Sequence, residues 1–349
     1  MLALQAVTPE GLEAAIGGAG ITAAEARKVV AAVHRGDALH SLTCRGRVRR
    51  SAIEAVRAAG GVPTLEVRSV RASAVDPFVK LALGTHDGHV IEAVRIPLER
   101  PGRFSACVSS QAGCALACAY CTTGRLGLAR NLESWEIIEQ VRLLRATLGP
   151  GQRVHGVVFQ GMGEPLANVE RVVEAVRVLC DPSALAVDAR AMTVCTSGLP
   201  TGIRRLARDA PKVRLGVSVF SARRDVRRRL MPIDAAHPLD EVIDAAEEHA
   251  RVTGLAPLWA LTLLAGVNDG DDDARALVDL ARSFEARAGL RPRVSLVPYN
   301  AMGVGPDPFA RGDVARFAAT LAALGLRAHV RYSGGWDVAA ACGQLAGQG

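Results

Sequence analysis

From residue 104 onward the chain repeats one rhythm, a short β-rich run followed by a stretch with helical spacing. The strand candidates are Val154–Gln160, Met192–Thr196, Val213–Val219, Leu258–Leu264, Val294–Pro298 and Ala328–Tyr332. Between them lie the helix candidates Ser134–Leu148, Val169–Leu179, Leu239–Val252, Asp272–Arg287 and Asp313–Leu324. A repeated βα unit has few ways to bury its apolar faces. It predicts a parallel sheet with helices outside, and right-handed crossovers curl that sheet into a full or partial barrel. Chemistry in such folds sits at the C-terminal ends of the strands.

The upstream part differs. Residues 1 to about 72 read as small helices with polar breaks, including Ala23–His34 and Arg50–Ala59, closed by Gly60, Gly61 and Pro63. Residues 78 to 97 alternate like a hairpin around His86–Asp87–Gly88. Between residues 41 and 71 stand seven arginines (45, 47, 49, 50, 57, 68, 71) against Glu54 and Glu66. That patch reads either as a solvated face or as a phosphate contact.

Composition removes several classes. With 49% apolar and 22% charged residues in 349, the chain is neither disordered nor collagen-like. The longest apolar candidate, Leu255–Val267, holds Pro257 and stops at 13 residues, short of the ~18 a membrane span needs. The N-terminus has no basic region of the kind that opens a signal peptide, and a cytoplasmic setting is expected. Eight cysteines are too sparse for a disulfide scaffold. The net charge is +7, and only three of the 42 basic residues are lysines (28, 80 and 212). Genome composition explains such a bias, and so does phosphate binding. Aromatics, at 4%, are too few for a broad single-strand stacking surface.

The strongest chemical signal is Cys114, Cys118 and Cys121, three thiols within eight residues. Three thiolates suit a soft metal centre and leave one iron of a cubane open to another ligand. The spacing alone equally allows zinc with a distant fourth ligand, such as His155 or Cys107, or a chance cluster of reduced thiols.

Context separates these. Tyr120 precedes the last cysteine, and the triplet sits ahead of the βα array, as in radical S-adenosylmethionine (SAM) enzymes. The motifs Cys107–Val–Ser–Ser–Gln111, Gly124–Arg–Leu–Gly127, Arg130–Asn131–Leu132, Gly161–Met–Gly–Glu–Pro–Leu166, Thr196–Ser–Gly198, Met231–Pro–Ile233, Gly266–Val–Asn–Asp269, Leu296–Val–Pro–Tyr–Asn300 and Ala341–Cys–Gly–Gln–Leu–Ala–Gly347 occur in one family's order. From about residue 75 to 347 the chain resembles the radical SAM adenosine methyltransferases of RNA, the RlmN/Cfr type.

The resemblance implies a partial (β/α)6 radical SAM barrel with a small, mostly helical N-terminal accessory domain and a β-hairpin extension. The expected divisions are residues 1–75, 76–100 and 101–349. Cys114, Cys118 and Cys121 would hold a [4Fe–4S] cluster whose open iron chelates SAM. Gly163, Glu164, Cys195, Ser218, Val219, Phe220 and Asn300 fall at the family's SAM positions. By the same analogy Cys342 accepts a methyl group from one SAM, and a radical from a second SAM activates that methyl for addition to an adenine carbon. Cys107 then resolves the protein–RNA adduct through a transient disulfide with Cys342, and Glu92 removes the substrate proton. The implied substrate is 23S rRNA and/or tRNA, methylated at C2 rather than C8. The implied electron donor is a flavodoxin or ferredoxin, and the implied state is a monomer. Cys44 and Cys180 read as structural. The run Arg223, Arg224, Arg227, Arg228 and Arg229 is a second candidate phosphate contact.

Departures from the family concern the substrate side. Phe220 stands where the family has histidine, Cys195 where it has serine, and Trp259–Ala260 where it has Glu-Tyr. Asp76–Pro77–Phe78 replaces Asp-Gly-Thr, and Tyr332–Ser–Gly–Gly–Trp336 replaces a basic segment. The same chemistry on a different RNA position or on a non-RNA substrate is the alternative. A non-catalytic metal-binding module is a third reading, and it gives Cys107 and Cys342 no purpose.

Overall fold

The computed structural model of the chain describes residues 1–17, 20–39, 41–42, 47–303 and 306–347. Cys44 and Arg45 lie outside the described residues. Ten strands make one sheet: β1 Glu66–Ala72, β2 Val79–Gly84, β3 Val90–Pro97, β4 Arg103–Cys107, β5 Arg153–Phe159, β6 Met192–Thr196, β7 Arg214–Ser218, β8 Leu258–Leu263, β9 Arg293–Pro298 and β10 Ala328–Val330. Their order in space is their order in the chain. β1 to β4 are joined by antiparallel pairings, and every pairing from β4 to β10 is parallel. Side chains from β4 at one end of the parallel array and β10 at the other line the same cavity, so the sheet wraps around it.

The helices, in chain order, are α1 Pro9–Ile16, α2 Ala23–Arg35, α3 Arg50–Ala59, α4 Thr122–Arg125, α5 Ser134–Ala146, α6 Val169–Cys180, α7 Pro200–Asp209, α8 Arg224–Leu230, α9 Leu239–Thr253, α10 Asp271–Ala288 and α11 Val314–Ala323. From α5 on they fill the crossovers between parallel strands. Their ends follow local chemistry. α10 opens on three aspartates, which suit the positive end of a helix dipole, and closes on Gly289 in the left-handed conformation. α2 starts in a capping box between Thr22 and Glu25.

The expected βα array is present, and β4 is a further parallel strand ahead of it. The hairpin also forms, and its turn is closed by the Thr85 amide donating to the His89 carbonyl at 2.9 Å. One segment differs from its expected reading. Residues 66–72, placed among the N-terminal helices, form the outer strand of the sheet. Only one edge of β1 has a neighbouring strand, and its residues are mostly exposed and show little apolar alternation. Arg68 and Arg71 keep that edge charged. The residues before it pack separately: Leu12, Val29, Val33, Ile53 and Val56 belong to an apolar cluster distinct from the one under the sheet.

Candidate active site

The triplet is mounted on a small ribbon. Gln111–Cys114 pairs antiparallel with Gly127–Asn131, with Cys114 opposite Gly127. The ribbon closes the ends of the loop that carries Cys118 and Cys121, and α4 fills the return. A Cβ at Gly113 would lie 2.0 Å from the Gly127 carbonyl oxygen, and one at Gly124 would lie 3.0 Å from the Cys118 backbone. Glycine is therefore required at 113 for the loop to close, and a side chain at 124 would crowd the Cys118 backbone. Behind the loop the Tyr120 ring stacks on Phe220, with centroids 4.5 Å apart and planes 11° apart. Phe220 adopts φ +61°, strained for a residue with a Cβ, and Asn268 fixes it by donating to its carbonyl at 2.7 Å.

The three thiols are free and face a cavity of about 540 Å³. Burial pushes Cys114 up to about 11 and Cys118 to about 12. Thiolates there need a cationic centre, which the irons of a cluster supply. Backbone N–H groups of Leu116, Thr123 and Gly124 and the Ser197 side chain are aimed at the three sulfurs. No group of three His, Cys, Asp or Glu among the described residues converges on a single ion. Thiols that each bind a different iron stand farther apart than ligands of one ion. His155 is exposed on β5 and does not line the cavity. The donor set therefore fits a cluster better than zinc.

Beside the triplet, Gly163 (φ +97°) brings the chain within reach of Gln111, where a Cβ would meet the glutamine side chain at 2.5 Å. Gln111 accepts from the Glu164 amide at 2.7 Å. The Glu164 carboxylate accepts from the amides of Leu166 (3.0 Å) and Ser197 (2.8 Å), and burial raises its pKa. It lines the cavity, as do Gly163, Cys195 and Ser218, whereas the side chains of Val219 and Phe220 are buried outside the lining.

A second group of thiols meets in the same cavity. Cys107 ends β4, Cys195 lies on β6, and Cys342 comes from the C-terminal tail. Arg331 stands among them: its Nη1 donates to Gln160 Oε1 at 2.9 Å and approaches Cys342 Sγ at 3.7 Å. All three thiols are free. Burial, chiefly, raises Cys107 and pushes Cys195 up to about 12.

The tail is pinned at successive residues. Lys80 Nζ donates to the Ala339 carbonyl and Asn300 Nδ2 to that of Cys342, both at 3.2 Å. The Thr122 amide donates to Gly343 (2.9 Å) and the Thr123 hydroxyl to Leu345 (2.7 Å). Glu92 Oε2 accepts from the Ala346 amide at 2.9 Å, while Oε1 pairs with buried Lys80 at 3.0 Å. Glu92 and Asn300 are thus found holding the tail and are not among the cavity-lining residues. The sequence reading missed Arg331, Lys80 and the two threonines. Only Arg331 carried a signal, as a charged residue inside the last strand candidate, Ala328–Tyr332.

The second arginine run divides. Arg227 is fully buried, donating to Asp234 (2.8 Å) and to the carbonyls of Ser197, Ser218 and Val219 (each 2.6 Å). It clamps the C-terminal ends of β6 and β7 together and cannot reach a phosphate. Arg224 pairs with Asp240, and Arg223 with Asp225 and Asp273. Arg228 and Arg229 are exposed and have no acidic partner among the described residues. In the first patch Arg49, Arg50 and Arg68 pair with Glu25, Glu54 and Glu66.

The wrapped parallel sheet, with a three-cysteine loop at the C-terminal ends of its strands, defines a radical SAM protein. Residues 108–281 match the model of the radical SAM superfamily. The chain is 57% identical, over 95% of its length and 89% of the other, to a probable RNA methyltransferase of Sorangium cellulosum. It is 43% identical, over 76% of its length and 75% of the other, to a probable dual-specificity RNA methyltransferase RlmN of Moorella thermoacetica. A crystal structure of a radical SAM methyltransferase from Sphaerobacter thermophilus matches all of both chains, with 33% identity and a TM-score of 0.88. The chain belongs to the radical SAM methyltransferase family that includes the RlmN-type enzymes, and that family uses a [4Fe–4S] cluster and SAM. No helix among the described residues is long and apolar enough to cross a membrane.

Proposed function

We propose that this protein methylates an adenine carbon of RNA, C2 in 23S rRNA and/or tRNA, through a methyl group carried on Cys342. The observation that carries the reading is the tail. At least five polar contacts hold it so that a free Cys342 shares one cavity with the triplet and with Cys107.

The bound cluster and SAM would supply methyl groups and radical chemistry, with an external one-electron donor of the flavodoxin or ferredoxin class. Cys114, Cys118 and Cys121 hold the cluster in this reading. Glu164 offers a buried carboxylate for the SAM ammonium, and Gly163, Cys195 and Ser218 line the cavity beside it, while Val219 and Phe220 back the cysteine loop and Asn300 acts through the tail it holds. Cys342 is the nucleophile that receives the methyl group, with the Arg331 guanidinium 3.7 Å from its sulfur. Cys107 releases the modified base by pairing with Cys342. Glu92 accepts the substrate proton once the Ala346 amide leaves its carboxylate. A base stacked in folded RNA must be splayed out to enter the cavity.

The test compares anaerobically purified wild type with Cys342→Ala. Both should be brown. Wild type should carry one added methylene on Cys342 and methylate adenosine in total RNA, and the variant should do neither. A methylated Cys342 without modified RNA would leave the thiol chemistry standing and remove the RNA assignment.

A further inference from the structure

Three tryptophans, three tyrosines and seven phenylalanines are the chain's aromatic residues. Two of them are exposed, and they lie four residues apart: Tyr332 at 67% and Trp336 at 59%. Tyr332 lines the cavity mouth, and Trp336 begins the 3-10 turn Trp336–Val338 beside it.

This segment is built to stand still. Asp76 Oδ2 accepts from the Gly335 amide at 2.9 Å and from the Tyr332 hydroxyl at 3.1 Å. From the other side, Asp337 Oδ2 accepts from the Ala74 amide at 2.9 Å. The Phe78 ring lies 6.4 Å from that of Tyr332, and a Cβ at Gly334 would strike Phe78 at 2.4 Å. Gly335 needs its φ of +69° to make the corner. The backbone is clamped to the 73–78 segment on both sides, while the indole keeps more than half its surface in water. Exposing an indole on a fixed backbone costs burial that a polar residue would not lose. A flat ring without a partner, at the rim of a site, suits a flat ligand.

The neighbouring charges identify which part of a nucleic acid would lie there. Asp76, which accepts from the Tyr332 hydroxyl and the Gly335 amide, and Asp337, next to Trp336 in the chain, bring two carboxylates to this segment, and hydrogen bonds from Ala74 and Ser73 hold the Asp337 carboxyl below its usual range. Phosphate is repelled at such a spot, whereas the π-face of a base carries no charge and stacks on aromatic side chains.

We propose that Trp336, with Tyr332 beside it, is a stacking platform for an unpaired base adjoining the one that enters the cavity. The proposal rests on the RNA-methylating reading above and adds a base-recognition site to it. Splaying a target out of folded RNA leaves its neighbour unstacked, and a ring at the rim replaces the lost stacking partner.

The test uses the cluster-loaded full chain and two probes, a short single-stranded oligoadenylate and the same oligomer with abasic sites. Affinity is followed by anisotropy across a salt series, and stacking by the tryptophan fluorescence that Trp336→Leu removes, because Trp259 is fully buried and Trp135 is packed against the core. Trp336→Leu should weaken oligoadenylate binding roughly ten- to a hundredfold and leave the salt slope unchanged, since stacking releases no counterions. Trp336→Phe should restore most of the affinity, and the abasic probe should neither quench the wild type nor distinguish it from Trp336→Leu. Equal oligoadenylate affinity of wild type and Trp336→Leu, or a changed salt slope, overturns the platform and leaves the RNA reading intact. A wild type that binds neither probe and leaves total RNA unmodified removes both. Self-association that Trp336→Leu abolishes would assign the rings to a second copy of the chain and also overturn the proposal.

Discussion

The cavity holds two sets of three thiols, and they are built in opposite ways. Cys114, Cys118 and Cys121 share one loop, closed by one ribbon and two glycines. Cys107, Cys195 and Cys342 arrive on β4, on β6 and on the tail, and they meet around a guanidinium carried just past β10. The first set is a local ligand motif with N–H groups aimed at its sulfurs, which suits it to hold a metal centre permanently. In the second set only the Gln160 N–H is aimed at Cys107 and the Arg331 guanidinium at Cys342. Its thiols are free, and its one cation stands 3.7 Å from Cys342. That arrangement suits thiols that change partners. Where the ligands are close in sequence the fold supplies little, and where they are distant it supplies everything.

Breaking the local set should have the largest effect. Cys118→Ala is expected to lose the brown absorbance and the iron, with methylation falling below detection, because two thiolates do not retain the cluster. Cys342→Ala, by contrast, should keep the full iron content. Iron loss in Cys342→Ala would erase the division between the sets. The next effect is on the cation of the distant set. Arg331→Gln should slow alkylation of Cys342 by iodoacetamide roughly tenfold in cluster-free protein, and Arg331→Lys should restore part of the rate. Unchanged alkylation in Arg331→Gln would reduce the guanidinium to a packing role. The smallest effect concerns pH. Burial pushes Cys195 up to about 12, so its reactive thiolate is scarce at neutral pH and grows as pH rises towards that value. Its alkylation, followed by peptide mass, should climb about one decade per pH unit between pH 8 and 10. A plateau below pH 9 would place a stronger cation beside Cys195 than Arg331 provides.

The arginines repeat the lesson of the thiols. Arg223, Arg224, Arg227, Arg228 and Arg229 look alike in sequence. Helical spacing and the Asp234 carboxylate bury Arg227 completely, while Arg228 and Arg229 face water. Seven of the eleven helices among the described residues and most of the parallel strands were legible because a buried stripe imposes its period on the residues. β1 was not, because an edge strand with mostly exposed side chains shows little alternation. Glu92, the proton acceptor by the resemblance, carries no sign of burial in its own strand. It is buried because Lys80, its partner at 3.0 Å, sits on the neighbouring strand β2, and pairing across strands leaves no mark in either strand alone.

The βα array, the hairpin, the cysteine triplet and the order of motifs can all be read from the residues alone. Each of these depends on residues a few positions apart, whose spacing is set by helix and strand geometry. Tertiary structure alone decided that a tail cysteine would share a cavity with Cys107 and Cys195, that Arg331 would stand between them, and that Trp336 would be held exposed at the rim. Those juxtapositions arise from the wrapping of ten strands, and no local period encodes which distant residues the wrapping will bring together.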